Sequence, residues 1–381
     1  MEQRRFSGNS HWYHETQCTL SAPAAPLVPE AAGIEDRFLL DLVPLCSAEL
    51  NALLEQAQPA LLASRDLYQL LFPAQLDTSL THTLTLYDRL STALTVAQVT
   101  GVQRLCNHYA ARLNPLTSPD SSRESNRRLT QITEYARQLA SQPSLITAAS
   151  LQRLDEVGLT APDIITFSQI IGFVSYQARV QAGIMAMLQL PVRWIPGISE
   201  PQDAAADGFE HPAPWQPLLS PVELRYASPR QLETLTWCQP QPLLSDCAWL
   251  LAHDADALSG WSTLINTLQE TQQTPECALA AAVAARINGS ATCFWRYENE
   301  ELRQPLRQSV SQALTRASRS QQAIIQAAAQ LTRAPERFSS AHLQPLSEAG
   351  FSQQTTLAVI LQVALANWSN RLLQTLGSPG A

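Results

Sequence analysis

The sequence predicts an all-α protein built from two tandem copies of one helical unit. The stretch 138–179 reappears without a gap at 330–371, with ten identical pairs in 42 positions. Such self-similarity is typical of an internally duplicated chain. Apolar residues elsewhere recur at helical spacing, and no stretch shows the alternation of a half-buried strand. The 381 residues, 45% of them apolar, are enough for about two or three globular domains, and the duplication favours two.

We divide the chain into four parts from these patterns. Residues 1–34 form an N-terminal arm, 35–190 the first unit, 191–242 a linker, and 243–381 the second unit. The linker holds ten of the 25 prolines and an acidic stretch, and we expect it to be partly ordered at most. In the arm, His11 to His14 indicate an exposed docking segment, with a metal or ligand role as the alternative.

The first unit begins with a helical apolar spacing from about Phe38 to Pro73. The stripe at 86–97 then predicts an amphipathic helix that Gly101 ends. A second short apolar face spans 102–113, and Pro115 ends it because proline cannot continue a helix. The polar stretch from Pro115 to residue 128 is predicted to be a loop.

A long buried helix is expected to close each unit. In the first unit Thr160 can cap it, with Asp163 three residues later completing a capping box. The second unit repeats this stop and cap at residues 350–352, after an apolar helix at 278–287 and a possible cap at Ser290.

Each long helix ends near a repeated arginine, Arg179 in the first unit and Arg371 in the second. We expect each arginine to pair with a carboxylate of its own unit. The repeated candidates are Glu156 and Glu348.

Charge and cysteine usage exclude several classes of protein. A net charge of −8 and a pI near 5.4 argue against nucleic acid or anionic lipid as a partner. No apolar run reaches the roughly 18 residues of a membrane span, and the N-terminus lacks the apolar core of a signal peptide, so we expect a cytoplasmic protein. The seven scattered cysteines have neither disulfide-framework nor zinc spacing, so we expect neither metal nor cofactor.

The two cysteine segments resemble a known family. Residues 87–113 and 276–302 each show a helix, a glycine break and a helix that carries a cysteine, followed later by the long helix. The run 284–290 before Cys293 is similar to the segment that enters the C-x-x-C motif of the alkylhydroperoxidase-like (AhpD-like) superfamily, also called carboxymuconolactone decarboxylase domains. The resemblance covers about residues 35–378 outside the linker. It implies two tandem AhpD-like helical bundle domains.

Peroxidases of this family use a Glu, a C-x-x-C pair and a His four residues after the second cysteine. The pair cycles between dithiol and disulfide while the Glu and His relay protons. Cys106 and Cys293 match the second cysteine of the motif. The other three motif positions are those of the Glu, the first cysteine and the His. In the first unit they hold, in that order, Ser91, Gln103 and Ala110. In the second unit they hold Ala278, Ser290 and Tyr297.

The candidate catalytic residues of the first unit are Cys106, His108 and Asp88. Cys106 follows a helix break and lies beside Arg104, two features that favour a thiolate. His108 lies two residues after Cys106, which corresponds to about 200° of helical rotation. The two side chains therefore point to opposite faces of the helix, and His108 can reach the thiol only if the helix contains a one-residue bulge. Asp88 lies near the place of the family's Glu.

In the second unit the equivalent residues are Cys293, Tyr297 and Glu276, with Arg296 near the thiol. Tyr297 would donate a proton in place of the family's His. The alternative for both thiols is that they are ordinary core cysteines.

The resemblance implies a thiol-dependent peroxidase or oxidoreductase, acting through Cys106 without the full motif on a hydroperoxide or thiol substrate. The alternative is a non-catalytic protein of the same fold that binds a small molecule or serves in assembly, linked to sulfur or cysteine metabolism. Family members assemble as trimers or as paired trimers, so a homo-oligomer is expected, with a trimer favoured and a dimer next.

Overall fold

The computed structural model describes residues 34–192 and 200–379. The arm at 1–33, with its His11–His14 segment and Cys18, lies outside the described residues. Within those ranges the regular structure is almost entirely helical, which confirms the all-α prediction. The exception is a short antiparallel strand pair that joins Trp215–Pro217 to Gly377–Pro379.

Seven α-helices lie within residues 34–192. They are Ala48–Gln56 (α1), Gln58–Leu71 (α2), Leu86–Thr100 (α3), Gln103–Leu113 (α4), Arg123–Ser141 (α5), Ala148–Asp155 (α6) and Ala161–Met187 (α7). Helix α3 ends at Gly101, which has a φ of +69°, a conformation that glycine adopts without a Cβ penalty. Thr160 and Asp163 form the predicted capping box at the start of α7.

Ten α-helices follow in the second half. They are Pro229–Cys238 (α8), Ala248–Leu251 (α9), Ala255–Gln272 (α10), Pro275–Asn288 (α11), Ala291–Phe294 (α12), Glu300–Gln308 (α13), Val310–Arg316 (α14), Arg319–Arg333 (α15), Ser340–Glu348 (α16) and Gln353–Leu376 (α17). Single 3₁₀ turns lie at Val43–Leu45, Pro143–Leu145, Asp207–Phe209, Leu224–Tyr226, Ala252–Asp254 and Pro335–Arg337.

Two sequence predictions about helix boundaries were wrong. The first α-helix begins at Ala48 rather than near Phe38, because Leu40 and Asp41 both have positive φ and form a turn. Helix α5 begins at Arg123, inside the predicted loop, because the Ser122 hydroxyl caps it. The proline-rich linker contains the ten-residue helix α8, which has proline at its first position, where a missing N–H costs nothing.

The repeated stretches fold alike. Helices α5, α6 and α7 recur as α15, α16 and α17, and the 3₁₀ turn after α5 recurs after α15. Gly158 and Gly350 stop α6 and α16 with φ values of +86° and +87°. The sequence repeat therefore corresponds to a structural repeat.

The two long helices α7 and α17 pack against each other, and glycine brings them close. A Cβ at Gly172 would lie 2.0 Å from the Trp368 ring, and one at Gly183 would lie 2.2 Å from Ile360. The Trp368 indole N–H donates to the Gln169 side chain at 3.0 Å. Nearly every residue of α7 is buried, because the helix is enclosed by neighbours on all sides.

The repeated arginines link the two repeats reciprocally. Arg179 donates to the Thr332 carbonyl at the end of α15, at 2.6 Å. Arg371 donates to the Ala140 carbonyl at the end of α5, at 2.7 Å. Since position 332 is the repeat equivalent of position 140, each guanidinium satisfies a free carbonyl at the helix C-terminus of the other repeat.

The predicted pairing of these arginines with Glu156 and Glu348 is therefore wrong. Glu156 instead pairs with Arg127 at 3.7 Å, and Glu348 pairs with Arg319 at 3.6 Å, both at the surface. The long helices point their arginines inward, where burial lowers the pKa of Arg179 to about 9.

The apolar interior is shared between the repeats. The cluster built on α2, α3 and α7 also takes in residues 235–268 and one face of α17. Gly260 of α10 lies so close to α2 that a Cβ would approach the Leu67 side chain to 2.6 Å. A second cluster is centred on α11, α15 and the other face of α17. In the described ranges, none of the helices combines the length and apolar character that crossing a membrane requires.

Candidate functional site

Cys106 lies in the first turn of α4, as predicted, but its surroundings disfavour the thiolate. Burial raises the pKa of its thiol to about 11, because the protein interior solvates the charged form poorly. Arg104 donates its hydrogen bond to the Leu40 carbonyl at 2.7 Å. The expectation that this thiol has a lowered pKa is therefore wrong, because burial raises it.

His108 points into the core. Its Nε2 atom lies 2.7 Å from the Tyr68 hydroxyl, which also accepts a hydrogen bond from Arg112 at 2.7 Å. Burial, together with the nearby charges of Arg112 and Arg37, lowers the pKa of His108 to about 3. Because α4 is an uninterrupted α-helix, no bulge turns His108 toward Cys106.

Asp88 has a local structural role at the other end of α3. Its carboxylate accepts a hydrogen bond from the Thr85 N–H at 2.9 Å and completes a capping box. It also pairs with Arg128 at 3.5 Å. The twelve residues from Asp88 to the end of α3 place it about 18 Å along the axis from the start of α4. The structure therefore does not bring Cys106, His108 and Asp88 together.

Cys293 has different surroundings, because the helix that carries it is only four residues long. After α12 the chain leaves the helix, and a cavity of about 330 Å³ lies between α10, α11, α12 and α17. Cys293, which is half-buried like Cys106, lines this cavity together with Arg296 and Tyr297. The predicted side-chain cap at Ser290 is wrong: the Ser290 hydroxyl makes no cap bond to α12.

Tyr297 connects this cavity to a neighbouring one. It lines both the first cavity and a second of about 450 Å³ whose wall includes Glu276. Burial raises the pKa of Tyr297, so the phenol stays protonated at neutral pH and can donate a proton. Cys293 and Tyr297 therefore line the first cavity together, and Tyr297 and Glu276 line the second.

Three of the four positions that the sequence comparison matched to the motif also line the first cavity, and Ser290 is not among them. Ala278, Cys293 and Tyr297 occupy the places of the family's Glu, second cysteine and His, and all three line the first cavity. Arg296 is the charged residue on the same wall, and it donates to the Leu243 carbonyl at 3.1 Å. The cavity therefore combines a thiol, a phenol and a cation.

Sequence reasoning missed two polar residues of this cavity, Asn370 and Trp261. Both line it and both are buried. Neither the Asn370 amide nor the Trp261 indole N–H has a hydrogen-bond partner among the described residues. One signal was present: Asn370 aligns with Ala178 across the repeat, so an amide replaces a methyl group on a buried helix face.

Cys247 is a third residue that no sequence pattern associates with the site. Burial raises the pKa of the Cys247 thiol to about 12, although the nearby charge of Arg296 opposes the increase. Cys247 is wholly buried and belongs to the core cluster against which Cys293 packs. A second thiol therefore lies behind the cavity wall.

Comparison with known proteins adds no family assignment. No protein-family model matches the chain, and no curated protein is significantly similar to it. Throughout residues 34–192 and 200–379, no three His, Cys, Asp or Glu side chains are grouped so that they could hold a metal ion.

Proposed function

We propose that this protein is a thiol-dependent oxidoreductase that reduces a small organic hydroperoxide at Cys293. One observation carries the proposal: the partly exposed Cys293 thiol shares a cavity wall with Arg296 and Tyr297. Cys106 was the favoured residue on sequence grounds, but its thiol pKa is raised to about 11. The resemblance of both cysteine segments to the alkylhydroperoxidase-like superfamily supports the same class of reaction.

The reaction follows from the three side chains. The Cys293 sulfur attacks the terminal peroxide oxygen, so an S–O bond forms while the O–O bond breaks. Cysteine is oxidised to sulfenic acid and the hydroperoxide is reduced to an alcohol. Tyr297 gives its proton to the leaving alkoxide and regains one from the thiol, while Arg296 stabilises the developing negative charge.

An external thiol restores the enzyme. The first thiol molecule condenses with the sulfenic acid to a mixed disulfide and releases water. A second molecule attacks that disulfide, and Cys293 leaves as the free thiol. The overall reaction consumes one hydroperoxide and two thiols and yields an alcohol, a disulfide and water.

The test is site-resolved trapping of sulfenic acid. Wild-type protein, Cys293→Ser and Cys106→Ser are each treated with cumene hydroperoxide and dimedone, and the modified peptides are identified by mass spectrometry. We expect the adduct at Cys293 in the wild type and in C106S, and peroxide consumption at the background rate in C293S. Labelling mainly at Cys106, or full activity of C293S, would overturn the proposal.

The alternative function is binding without catalysis. The unpartnered Asn370 and Trp261 in the cavity favour it, because buried polar groups without partners are typical of sites that a ligand completes. Under this alternative, cumene hydroperoxide leaves all cysteines unmodified while a small ligand still stabilises the protein.

We also propose that the protein is a cytoplasmic homo-oligomer. The six described cysteines are free thiols, which suits a reducing compartment. The family resemblance favours a trimer, in which three duplicated chains would supply six units, with a dimer next. A monomer by light scattering would contradict the oligomer.

A further inference from the structure

We infer that the cavity of the second repeat recognises a carboxamide-bearing small molecule through Asn370 and Trp261. This inference rests on the proposed function for its site and adds the chemical class of the ligand. It concerns binding in the cavity rather than the reaction of the thiol.

Asn370 is the central observation. It is 0% exposed, it lines the cavity, and neither its Oδ1 nor its Nδ2 atom has a partner among the described residues. Burial of an amide without partners is unfavourable. A ligand that supplies one acceptor and one donor would satisfy both atoms.

Asn367 lies on the same helix and is a buried asparagine whose amide is hydrogen-bonded within the protein. One turn before Asn370, its Nδ2 donates to the Val363 carbonyl at 2.9 Å and to the Thr332 hydroxyl at 3.2 Å. Its Oδ1 accepts from Asn288 at 3.0 Å and from Arg371 at 2.9 Å. The fold therefore satisfies the buried amide of Asn367 fully, whereas both polar atoms of the Asn370 amide lack partners among the residues that the structure describes.

Trp261 supplies a second, independent polar group. Its indole N–H is buried and has no partner in the part of the chain that the structure describes. The buried Trp368 and Trp215, by contrast, donate to the Gln169 side chain at 3.0 Å and to the Leu373 carbonyl at 2.8 Å. Trp261 can therefore donate to a ligand acceptor from the cavity wall.

A carboxamide is complementary to this pair of side chains. Its oxygen can accept from Asn370 Nδ2 and from the Trp261 N–H, and its N–H can donate to Asn370 Oδ1. A carboxylate would instead face the Oδ1 acceptor with a negative charge, and Arg296, the cation of this cavity, already donates to the Leu243 carbonyl. The remaining wall includes Ile265, Leu365 and Leu373, so the rest of the ligand should be apolar. A volume of about 330 Å³ lies at the small end of ligand pockets.

The experiment compares hexanamide with hexanoate, which share the same apolar chain. Binding is measured by titration calorimetry on the full chain, without any hydroperoxide. We expect wild type to bind hexanamide at least about tenfold more tightly than hexanoate. Equal affinity for the two probes, or no binding of hexanamide, would overturn the inference.

Variants separate a binding role from a structural one. Asn370→Leu should lose hexanamide binding at least about tenfold while the melting temperature of the free protein stays unchanged or rises, because unsatisfied polar atoms are removed. The matched control Asn367→Leu should lower the melting temperature. A similar decrease for N370L, or undiminished hexanamide binding by N370L, would show that Asn370 is not a ligand-binding residue.

Asn370→Asp provides a second variant that keeps the shape of the side chain. It lacks the Nδ2 donors, so we expect it also to lose hexanamide binding, and retained affinity would contradict the inference. The wild-type reaction of Cys293 with cumene hydroperoxide, measured without amide, is a separate readout. Failure of that reaction alone rejects the proposed function, whereas failure of hexanamide binding alone rejects the carboxamide inference.

Discussion

The two cysteine segments have the same order of elements and differ in the length of the helix that carries the cysteine. In both, a helix ends at a glycine with positive φ, Gly101 after α3 and Gly289 after α11, and a cysteine-bearing helix follows. In the first repeat that helix has eleven residues, and in the second it has four. The longer helix carries Cys106 along a packed core surface, whereas the shorter one leaves Cys293 beside a cavity.

The later turns of α4 carry core residues that have no helical counterpart in the second repeat. They bring His108, Tyr109 and Leu113 into the core, where Tyr109 donates to Gln177 at 2.6 Å and His108 meets Tyr68. In the second repeat the chain leaves the helix before it reaches comparable positions. One scaffold thus supports either a filled core or a cavity, depending on where one helix ends.

The scaffold halves, by contrast, stay equivalent. Arg179 and Arg371 each donate to the carbonyl four residues earlier and to a helix end in the other repeat. The two repeats therefore have equivalent scaffold halves but different cysteine segments. Experiments can test both the equivalence and the difference.

The largest expected effect is at the buried arginines. Arg371→Ala should lower the free energy of unfolding by about 3–5 kcal/mol, because it leaves a cavity and unpaired carbonyls. Arg179→Ala should cost a similar amount if the repeats are equivalent. Urea denaturation measures both.

The surface arginines are a matched control for this experiment, since Arg127 and Arg319 are repeat equivalents. Their exposed pairs with Glu156 and Glu348 should each contribute no more than about 1 kcal/mol. A large cost for R371A with none for R179A would contradict the equivalence of the scaffold halves.

The next effect is an acid-dependent loss of stability at His108. Its pKa in the folded protein is about 3, below the ordinary value of 6.5, so the unfolded chain binds a proton that the folded protein does not. The contribution of neutral His108 to the free energy of unfolding is complete above pH 6.5. It decreases by up to about 1.4 kcal/mol per pH unit as the pH falls toward 3.

His108→Phe should remove this part of the acid sensitivity. The measurement is the free energy of unfolding of wild type and H108F between pH 8 and pH 4. Curves that stay parallel over that interval would mean that His108 titrates normally, and the first repeat would then hold an available base after all.

The smallest effect is the reactivity of the Cys106 thiol. A pKa of about 11 instead of the reference 9.0 lowers the thiolate fraction about 100-fold at neutral pH. The greater nucleophilicity of a more basic thiolate restores part of the rate. We expect iodoacetamide to alkylate Cys106 about tenfold to twentyfold more slowly than a cysteine in a short peptide.

Peptide mass spectrometry over a time course gives this rate for each cysteine. Alkylation of Cys106 as fast as that of the free peptide would remove the contrast between the two segments and return Cys106 to the candidate site.

Local patterns in the sequence predicted much of the fold. The 192-residue repeat, the glycine stops, the Thr160–Asp163 cap and the long buried helices could be read directly, because capping and amphipathic spacing depend on residues a few positions apart. The sequence also predicted Cys293 and Tyr297 as candidates at two motif positions that lie close together along the chain, with Glu276 near the place of the Glu.

Only the tertiary structure decided how these parts are used. Arg371 caps a helix more than 200 residues away, and Asn370, Trp261 and Cys293 meet from three separate helices. The burial that raises the thiol pKa of Cys106 depends on elements that pack over α4. The sequence by itself determined the helices and the repeat through short-range interactions. The solvation of each thiol and the cavity are properties of packing between distant segments, and the fold alone determines them.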